Sequence, residues 1–298
     1  MNVRDRFFNT IYEKTKLGSD IMIVSSDLGA PSLDDFRKDF PQRFANAGIA
    51  EQNSIAVAAG LSMAGKIAIT YGLNPFPVTR GFDHIRNTMA SLRLPITVCG
   101  LKAGTATAEA GFSHMALENM SLLRTLRNIQ IINPSDETIS EKVAEVVIEN
   151  PKPRYIQFDP FISERMYERD DIDFEKGFVT SGRKSQVVVI SYGIWAYKIK
   201  KEMPETRMID CFSLPVNVNL FIDEIKSAKK IVTIEDGIDA GGLGSMVLEI
   251  MNDAGIYIPM KRMSLRFNHG YPDNLTDRNQ IFEDEGLRVD VVKKEMQI

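Results

Sequence analysis

Cysteine and histidine, the residues that most often bind structural metals, are scarce in this sequence. Its 298 residues include two cysteines and three histidines. Cys99 and Cys211 lie in separate apolar runs and lack the spacing of a metal site or of a disulfide framework. We therefore expect both to be free thiols in a reducing, cytoplasmic compartment.

Long apolar runs and clusters of positive charge are also missing. No stretch of 18 or more apolar residues occurs, and residues 1–10 lack the apolar region of a signal peptide, so neither a membrane span nor a leader is expected. The net charge of -4 and the lack of a basic stripe interleaved with aromatics disfavour nucleic-acid binding. The length and the ordinary composition, 44% hydrophobic and 26% charged, fit a globular protein of two domains.

In the first half of the chain, short runs rich in β-branched residues alternate with helical patterns. The predicted strands are Ile21–Val24, Ile67–Thr70, Ile96–Cys99, Ile129–Ile132 and Tyr155–Phe158. The predicted helices cover about Val3–Leu17, Gln52–Ala64, Thr79–Ser91, Met115–Leu126 and Asp136–Glu149. This alternation predicts an α/β fold in which helices cover a parallel sheet.

The second half repeats the strand-and-helix pattern after a charged segment. Residues 163–173 are predicted to form an exposed connection, and residues 187–193 and 231–237 to form central strands. We therefore expect two domains, at 1–162 and 184–298, joined by a linker at 163–183. The glycine-rich turn 241–244 lacks the residues of a phosphate loop, so close packing of a helix on a sheet explains it better.

One carboxylate stands in an almost wholly small and apolar run, from Phe44 to Leu61, and the composition of the residues after it predicts a buried helix. Because carboxylates are seldom buried without a partner, Glu51 needs a reason to be there. A helix that begins just after Ala50 would hold the carboxylate and reduce the cost of its burial. The alternative is a half-exposed glutamate that simply caps the start of a helix.

The segment Gly48-Ile49-Ala50-Glu51-Gln52 resembles the pyrimidine-binding domain of transketolase-type enzymes that depend on thiamine diphosphate. In that family the glutamate binds the cofactor's aminopyrimidine ring and favours the imino tautomer, which removes the proton from C2. The carboxylate must be desolvated for this interaction to be strong. The resemblance implies a catalytic and cofactor-binding role for Glu51, with Ile49 beside it as a cofactor contact.

Two further segments resemble cofactor-site motifs of the same family. Residues 26–32 are similar to S-A-D-L-x-P-S, which implies that Asp27 lies near the cofactor and Ser32 near the substrate; a simple turn is the alternative for Asp27. Residues 79–86 resemble T-R-A-F-D-Q-I-R, a helix that follows aromatic residues stacked around the aminopyrimidine. Phe76 is the aromatic candidate here, and a plain core position is the alternative for it. Tyr71 is a second candidate.

Residues 109–114 resemble the family motif E-D-G-x-[ST]-H, whose histidine moves protons on the substrate. The resemblance implies a catalytic and substrate-binding role for His114, and it gives Lys102 the position of a substrate-side histidine. His84 is expected to pack within its helix, and His269 has no assigned role.

The sequence departs from the family at two substrate positions. Ala110 replaces an aspartate that recognises a sugar hydroxyl, and Asp159 stands where an arginine pairs with the substrate phosphate. An aspartate at that place is expected to repel a phosphate. Either another cation binds the phosphate, or the substrate has none at that end.

The family's diphosphate-binding half, with its G-D-G motif, is not found in this sequence. The resemblance therefore implies a split enzyme, in which a separate amino-terminal subunit binds the diphosphate and Mg²⁺, and this chain contributes no metal ligand. An assembly of two copies of each chain is expected, and the isolated chain should bind the cofactor poorly.

The leading hypothesis is a transketolase that moves a two-carbon ketol unit from a ketose to an aldose. The first alternative is the β subunit of a 2-oxoacid dehydrogenase or an enzyme similar to deoxyxylulose-phosphate synthase. The second is a non-catalytic regulatory subunit, which Ala110 and Asp159 motivate. The sequence does not identify the sugars or say whether they are phosphorylated, free or nucleotide-linked.

Overall fold

The computed structural model of the chain describes residues 1–268, 270–272 and 276–297, so His269 lies outside the described residues. In chain order, the first half contains α1 (Val3–Lys16), β1 (Ile21–Ser25), α2 (Pro31–Asp39), β2 (Phe44–Asn46), α3 (Glu51–Met63), β3 (Ile67–Leu73), α4 (Phe76–Thr79), α5 (Phe82–His84), β4 (Thr97–Leu101), α6 (Asn119–Arg124), β5 (Gln130–Ile132), α7 (Glu137–Glu149) and β6 (Arg154–Phe158). A π-helical segment, Ile85–Ser91, continues α5.

The second half contains β7 (Val179–Ser181), β8 (Val187–Ser191), α8 (Gly193–Glu202), β9 (Met208–Asp210), β10 (Ser213–Leu214), α9 (Val218–Ile225), β11 (Lys230–Ile238), α10 (Leu243–Asp253), β12 (Met260–Leu265), α11 (Arg278–Asp284) and α12 (Val289–Glu295). The α/β alternation predicted from the sequence is confirmed. Helix α7 also has its expected start, because the Asp136 side chain accepts a hydrogen bond from the Ile139 amide.

The strands of the described residues form two sheets. The first has the order β10-β5-β6-β4-β3-β1-β2, and the second has the order β12-β11-β8-β9-β7. The first sheet is parallel except for β10, which comes from the second half of the chain and pairs antiparallel with β5. The second sheet is mixed, because β7 pairs antiparallel with β9. Strand β7 lies within the segment that was expected to be a linker.

Helix α1 shows why the first sheet is well covered. Val3, Phe7, Phe8 and Ile11 recur at helical spacing and are fully buried. The Phe8 ring meets Tyr71 of β3 with centroids 5.0 Å apart, and the Phe7 ring meets Phe158 of β6 at 5.2 Å. Each buried side chain of this size contributes about 1.5–3 kcal/mol. Tyr71 is therefore a core residue beneath α1.

Helix α3 differs from the fully buried helix that its composition predicts. One face, at helical spacing, is open to solvent in the isolated chain, and it consists of Gln52, Asn53, Ala56, Val57, Gly60 and Met63. Met63 is 73% exposed and Val57 is 38% exposed. The small and apolar residues that suggested burial therefore form an uncovered surface. In the described part of the chain, no helix is long and apolar enough to cross a bilayer.

Candidate cofactor and active site

Glu51 is the first residue of α3, and it is only 4% exposed. The predicted helix start immediately after Ala50 is thus confirmed. The carboxylate lies at the positive end of the helix dipole, which lowers the cost of burying its charge. Its Oε2 accepts a hydrogen bond from Arg80 Nη1 at 3.1 Å. The buried carboxylate therefore has one cationic partner, and that partner is on another element.

Phe76 is positioned by a buried polar network at the carboxyl end of β3. The preceding Asn74 is fully buried, and its Oδ1 accepts hydrogen bonds from Tyr155 Oη at 2.7 Å and Asn119 Nδ2 at 3.2 Å. Gly100 makes room for this amide, because a Cβ at that position would lie 2.0 Å from Asn74 Oδ1. Hydrogen bonds from Tyr155 of β6 and Asn119 of α6 therefore hold the turn that carries Phe76, and Gly100 of β4 leaves space for it.

Arg80 joins Glu51 to Phe76. Its guanidinium carbon lies 4.0 Å from the centroid of the Phe76 ring, a stacking contact that arginine makes readily. The Phe76 ring also packs against the His114 ring, with centroids 5.1 Å apart and an interplanar angle of 81°. These four residues, Glu51, Phe76, Arg80 and His114, form one continuous group that we call the Glu51 cluster.

Arg80 received no predicted role from the sequence, although it lies in the T-R-G-F-D segment that resembles the family. A signal was present, because residues four apart on a helical turn lie on one face, and Arg80 follows Phe76 by four. A cation on the face of a candidate stacking residue could have been paired with the predicted buried carboxylate.

His114 lies at the end of a loop that follows β4. Two 3₁₀ turns, Ala108–Ala110 and Phe112–His114, shape the loop, and Gly111 between them has a φ of +81° that favours glycine. The Thr107 hydroxyl donates to the His114 carbonyl, and Ser113 Oγ lies 3.0 Å from His114 Nδ1. Backbone and imidazole are both held, while the ring stays partly exposed.

Asp27 and Lys102 also follow the carboxyl ends of strands, the edge at which α/β folds usually bind ligands. Asp27 is exposed, and Asn46 Nδ2 donates to its Oδ1 at 3.0 Å. Lys102 Nζ pairs with Glu109 Oε1 at 3.2 Å. Both residues adopt a positive φ, +56° for Asp27 and +66° for Lys102, which is uncommon for side-chain-bearing residues. Their roles toward cofactor and substrate stay predictions.

Ile49 and Ser32 are placed differently from the Glu51 cluster. Ile49 is 75% exposed, two residues before the helix start. Ser32 Oγ donates to Asp5 Oδ1 at 2.7 Å and, among the described contacts, has no hydrogen bond to the cluster. The structure therefore joins Ser32 to α1, and its expected role at the substrate stays a prediction.

Asp159 does not present a free negative charge to a substrate, contrary to the expectation from the sequence. It is 1% exposed, and its Oδ2 accepts a hydrogen bond from Arg278 Nη2 at 2.6 Å. The same Arg278 nitrogen donates to Asp236 Oδ2, so one cation serves two buried carboxylates between the two halves of the chain. The Asp159 carboxylate is therefore buried and paired inside the protein rather than exposed to a substrate.

The glycine-rich turn 241–244 also has a structural explanation, as expected. The amides of Leu243 and Gly244 donate to the Glu235 carboxylate at 2.7 and 2.8 Å. A Cβ at Gly242 would lie 2.2 Å from Glu235 Oε2. Since these amides already bind a side-chain carboxylate, they are not available to a phosphate. Burial raises the pKa of Glu235 to about 7 despite the two hydrogen bonds.

The Glu51 cluster fits the pyrimidine half of thiamine diphosphate. It combines a buried carboxylate that accepts a hydrogen bond with an aromatic face on which a planar nitrogen-rich group already stacks. Glu51 would hold the ring nitrogen and Phe76 would support the ring face. Within residues 1–268, 270–272 and 276–297, no group of three or more histidine, cysteine, aspartate or glutamate side chains could hold a metal ion.

Comparisons with known proteins identify the family of the chain. The family described as "Transketolase, pyrimidine binding domain" matches residues 1–159. A subunit of the apulose-4-phosphate transketolase of Phocaeicola vulgatus is 27% identical over 260 residues, which cover 84% of this chain and 83% of that protein. The 1-deoxy-D-xylulose-5-phosphate synthase of Halothermothrix orenii is 30% identical over 292 residues, which cover 90% of this chain and 45% of that protein.

A solved structure described as a split gene transketolase, inactive beta4 tetramer, has the same fold. It superimposes with a TM-score of 0.81 at 28% sequence identity, over 99% of this chain and 98% of that one. The match therefore extends through both sheets. The family match covers more than half of the chain, and the relatives of similar length are subunits of divided enzymes. The chain belongs to the transketolase family and corresponds to the carboxy-terminal subunit of a split transketolase.

Proposed function

We propose that this chain supplies the pyrimidine half of a thiamine diphosphate site in a two-chain transketolase. The observation that carries the proposal is the Glu51 cluster, in which Arg80 joins a buried carboxylate to an aromatic ring that also contacts a partly exposed histidine. When bound, thiamine diphosphate supplies a carbanion-stabilising ylid. The reaction we propose is transfer of a two-carbon ketol unit from a ketose to an aldose.

Each residue of the cluster has a task that its surroundings support. Glu51 holds the aminopyrimidine through its ring nitrogen, and its burial strengthens that hydrogen bond because little water competes. Phe76 supports the flat face of the ring and is itself fixed through Asn74. His114, whose ring packs nearly perpendicular to that of Phe76, is the residue that we propose moves protons on substrate hydroxyls.

A separate chain is proposed to complete the site and to cover α3. The open face of that helix contains Val57, Gly60 and Met63, and the nearby Ile49 is 75% exposed. Small and apolar residues allow close approach of another subunit and gain free energy when water is removed from them. We propose that the amino-terminal subunit, which holds the diphosphate and Mg²⁺, packs here in an assembly of two copies of each chain.

Phosphorylated sugars are the substrates to test first. Two of the relatives are named as subunits of apulose-4-phosphate transketolases, and Asp159 is buried against Arg278 rather than exposed to a substrate phosphate. Lys102 is a candidate for the substrate phosphate, because its partner Glu109 is 63% exposed on the side chain and can be exchanged for a ligand.

The test is ketol transfer by this chain co-produced with its partner subunit, in the presence of thiamine diphosphate, Mg²⁺ and a phosphorylated ketose with an aldose acceptor. Turnover should require both chains and should be lost in Glu51→Gln. The matched control is Glu149→Gln, an exposed glutamate at the end of α7. Full activity of Glu51→Gln would refute the assigned role of this carboxylate.

The same preparation separates the alternative functions. Release of CO₂ from a 2-oxoacid, without ketol transfer, would indicate a dehydrogenase β subunit. Release of CO₂ coupled to the formation of a sugar phosphate would indicate a synthase similar to that of Halothermothrix orenii. Cofactor binding without any turnover would indicate a different sugar substrate. No binding of cofactor by the two-chain complex would favour a regulatory subunit.

A further inference from the structure

Arg80 makes two contacts that are unusual for a side chain with 48% exposure. Its Nη1 donates to the Oε2 of Glu51, which is 4% exposed, at 3.1 Å. Its guanidinium also stacks on Phe76, with Cζ 4.0 Å from the ring centroid. One planar cation therefore occupies both the carboxylate and the aromatic face of the Glu51 cluster.

These two contacts have the same geometry as those expected for an aminopyrimidine. A guanidinium is flat, carries N–H donors in its plane and stacks on aromatic rings through its face. An aminopyrimidine held by Glu51 and Phe76 would likewise present an N–H donor to the carboxylate and a flat face to the ring. Two planar groups cannot lie on the same face of Phe76 and bind the same carboxylate oxygen together.

Glu51 has a physical need for such a partner when no cofactor is bound. A buried carboxylate without a hydrogen bond or counter-charge is costly, and a helix start compensates only part of that cost. Among the described contacts, the Glu51 side-chain oxygens accept a hydrogen bond only from Arg80. Since Arg80 is half exposed, it can reach solvent by changing its side-chain rotamer without disturbing the core.

We infer that the guanidinium of Arg80 holds the place of the cofactor's aminopyrimidine in the unloaded chain and must leave that place when the cofactor binds. The inference rests on the proposed cofactor site. Arg80 is thus a positioning residue that keeps Glu51 satisfied and the Phe76 face covered until loading. Its contacts also compete with the cofactor, so that they lower the affinity of the site.

The test is the dissociation constant of thiamine diphosphate, with Mg²⁺ present, measured by calorimetry on the two-chain complex. Arg80→Met removes the charge and the planar group, and it is expected to tighten binding about ten-fold, which corresponds to about 1.4 kcal/mol. Arg80→Lys keeps a charge near Glu51 but loses the flat stacking group. Its affinity for the cofactor should therefore lie between those of the unaltered protein and Arg80→Met. Arg86→Met, an exposed arginine in the same helical region, is the control and should bind like the unaltered protein.

The rate of binding provides a second measurement. If Arg80 must leave first, the observed rate of cofactor association in the unaltered complex should reach a plateau at high cofactor concentration. The plateau should disappear in Arg80→Met. A purely structural role of Arg80 would not tighten binding or remove a plateau, and thermal unfolding of each variant shows whether it has folded.

Every result decides the question. If Arg80→Met binds the cofactor no more tightly than the unaltered protein, while Arg86→Met binds normally, the inference is overturned and the proposed function stands. If Arg80→Met binds more weakly, the result would further indicate that Arg80 contacts the bound cofactor. Cofactor binding that is detected for Arg80→Met but not for the other three proteins would support the inference strongly. Absence of binding in all four proteins would overturn the proposed function, and the inference with it.

Discussion

The buried ion pairs of Arg278 predict that replacing this arginine strongly destabilises the protein. Its Nη2 donates to Asp159, which is 1% exposed, and to Asp236, which is 5% exposed. Burial alone would lower the pKa of Arg278, but the two aspartates more than offset this and raise it above its ordinary value. Arg278→Met would leave two buried carboxylates without their cation. Breaking a buried pair in this way costs about 3–5 kcal/mol.

The magnitude follows from what each aspartate retains. Asp236 keeps hydrogen bonds from the Thr105 amide and hydroxyl, the shortest at 2.9 Å, so its loss is partly compensated. Asp159 keeps only the Phe161 amide, at 3.0 Å, as a donor among the described contacts. We therefore expect most of the loss to come from Asp159, and the double variant Asp159→Asn with Arg278→Met should recover a large part of it.

The measurement is urea unfolding followed by circular dichroism at neutral pH. Arg278→Met should lower the free energy of unfolding by about 3–5 kcal/mol. Arg288→Met is the control, since that arginine forms only exposed pairs with Glu283 and Asp290, and its midpoint should stay unchanged. A loss below about 1 kcal/mol for Arg278→Met, or no recovery in the double variant, would refute the reasoning.

Three further predictions follow from single positions. Gly104→Ala should lower the free energy of unfolding by about 2–4 kcal/mol, because the Gly104 φ is +52° and a Cβ would lie 2.6 Å from the Asp236 carbonyl oxygen. Gly255→Ala is the control and should cost only about 1–2 kcal/mol, because Gly255 has a similar φ of +65° but open space around it. Thermal unfolding compares the two variants. Burial raises the pKa of Asp210 from 3.8 to about 7, so the folded state favours its protonated form and loses stability as pH rises between these values. Asp210→Asn should remove about 2 kcal/mol of that decline between pH 5 and pH 7, as measured by urea unfolding. Ser113→Ala should leave folding intact but lower turnover, because Ser113 Oγ lies 3.0 Å from His114 Nδ1 and orients the ring; unchanged turnover would contradict this.

Much of the architecture could be predicted from local pattern, and the misses have a common cause. Strands β1 and β3 to β6 were expected within about three residues because they are short runs rich in apolar and β-branched residues. Strand β2, Phe44–Asn46, and strand β10, Ser213–Leu214, are too short to carry a period-two signal. Their pairing depends on partners distant in sequence, which no local pattern encodes.

The site was predictable where a rare residue marks it and unpredictable where tertiary contact defines it. Glu51 stands out as a carboxylate in an apolar run, and its burial at a helix start agrees with that prediction. The pairing of Arg80 with Glu51 spans 29 positions, and the sequence offered only the indirect signal that Arg80 shares a helical face with Phe76. Asp159 was misjudged for the same reason, because its partner Arg278 lies 119 positions away.

Strand β10 has a consequence for synthesis of the chain. It completes the edge of the first sheet by pairing with β5, although about eighty residues separate the two strands in the sequence. At a translation rate of about 5–20 residues per second, the ribosome exposes β5 for roughly 4–16 s before β10 can cover it. During that interval the nascent chain carries an open strand edge, the kind of edge that pairs readily with a neighbouring chain. The first sheet thus cannot be completed until Ser213 and Leu214, in the second half of the chain, have been made.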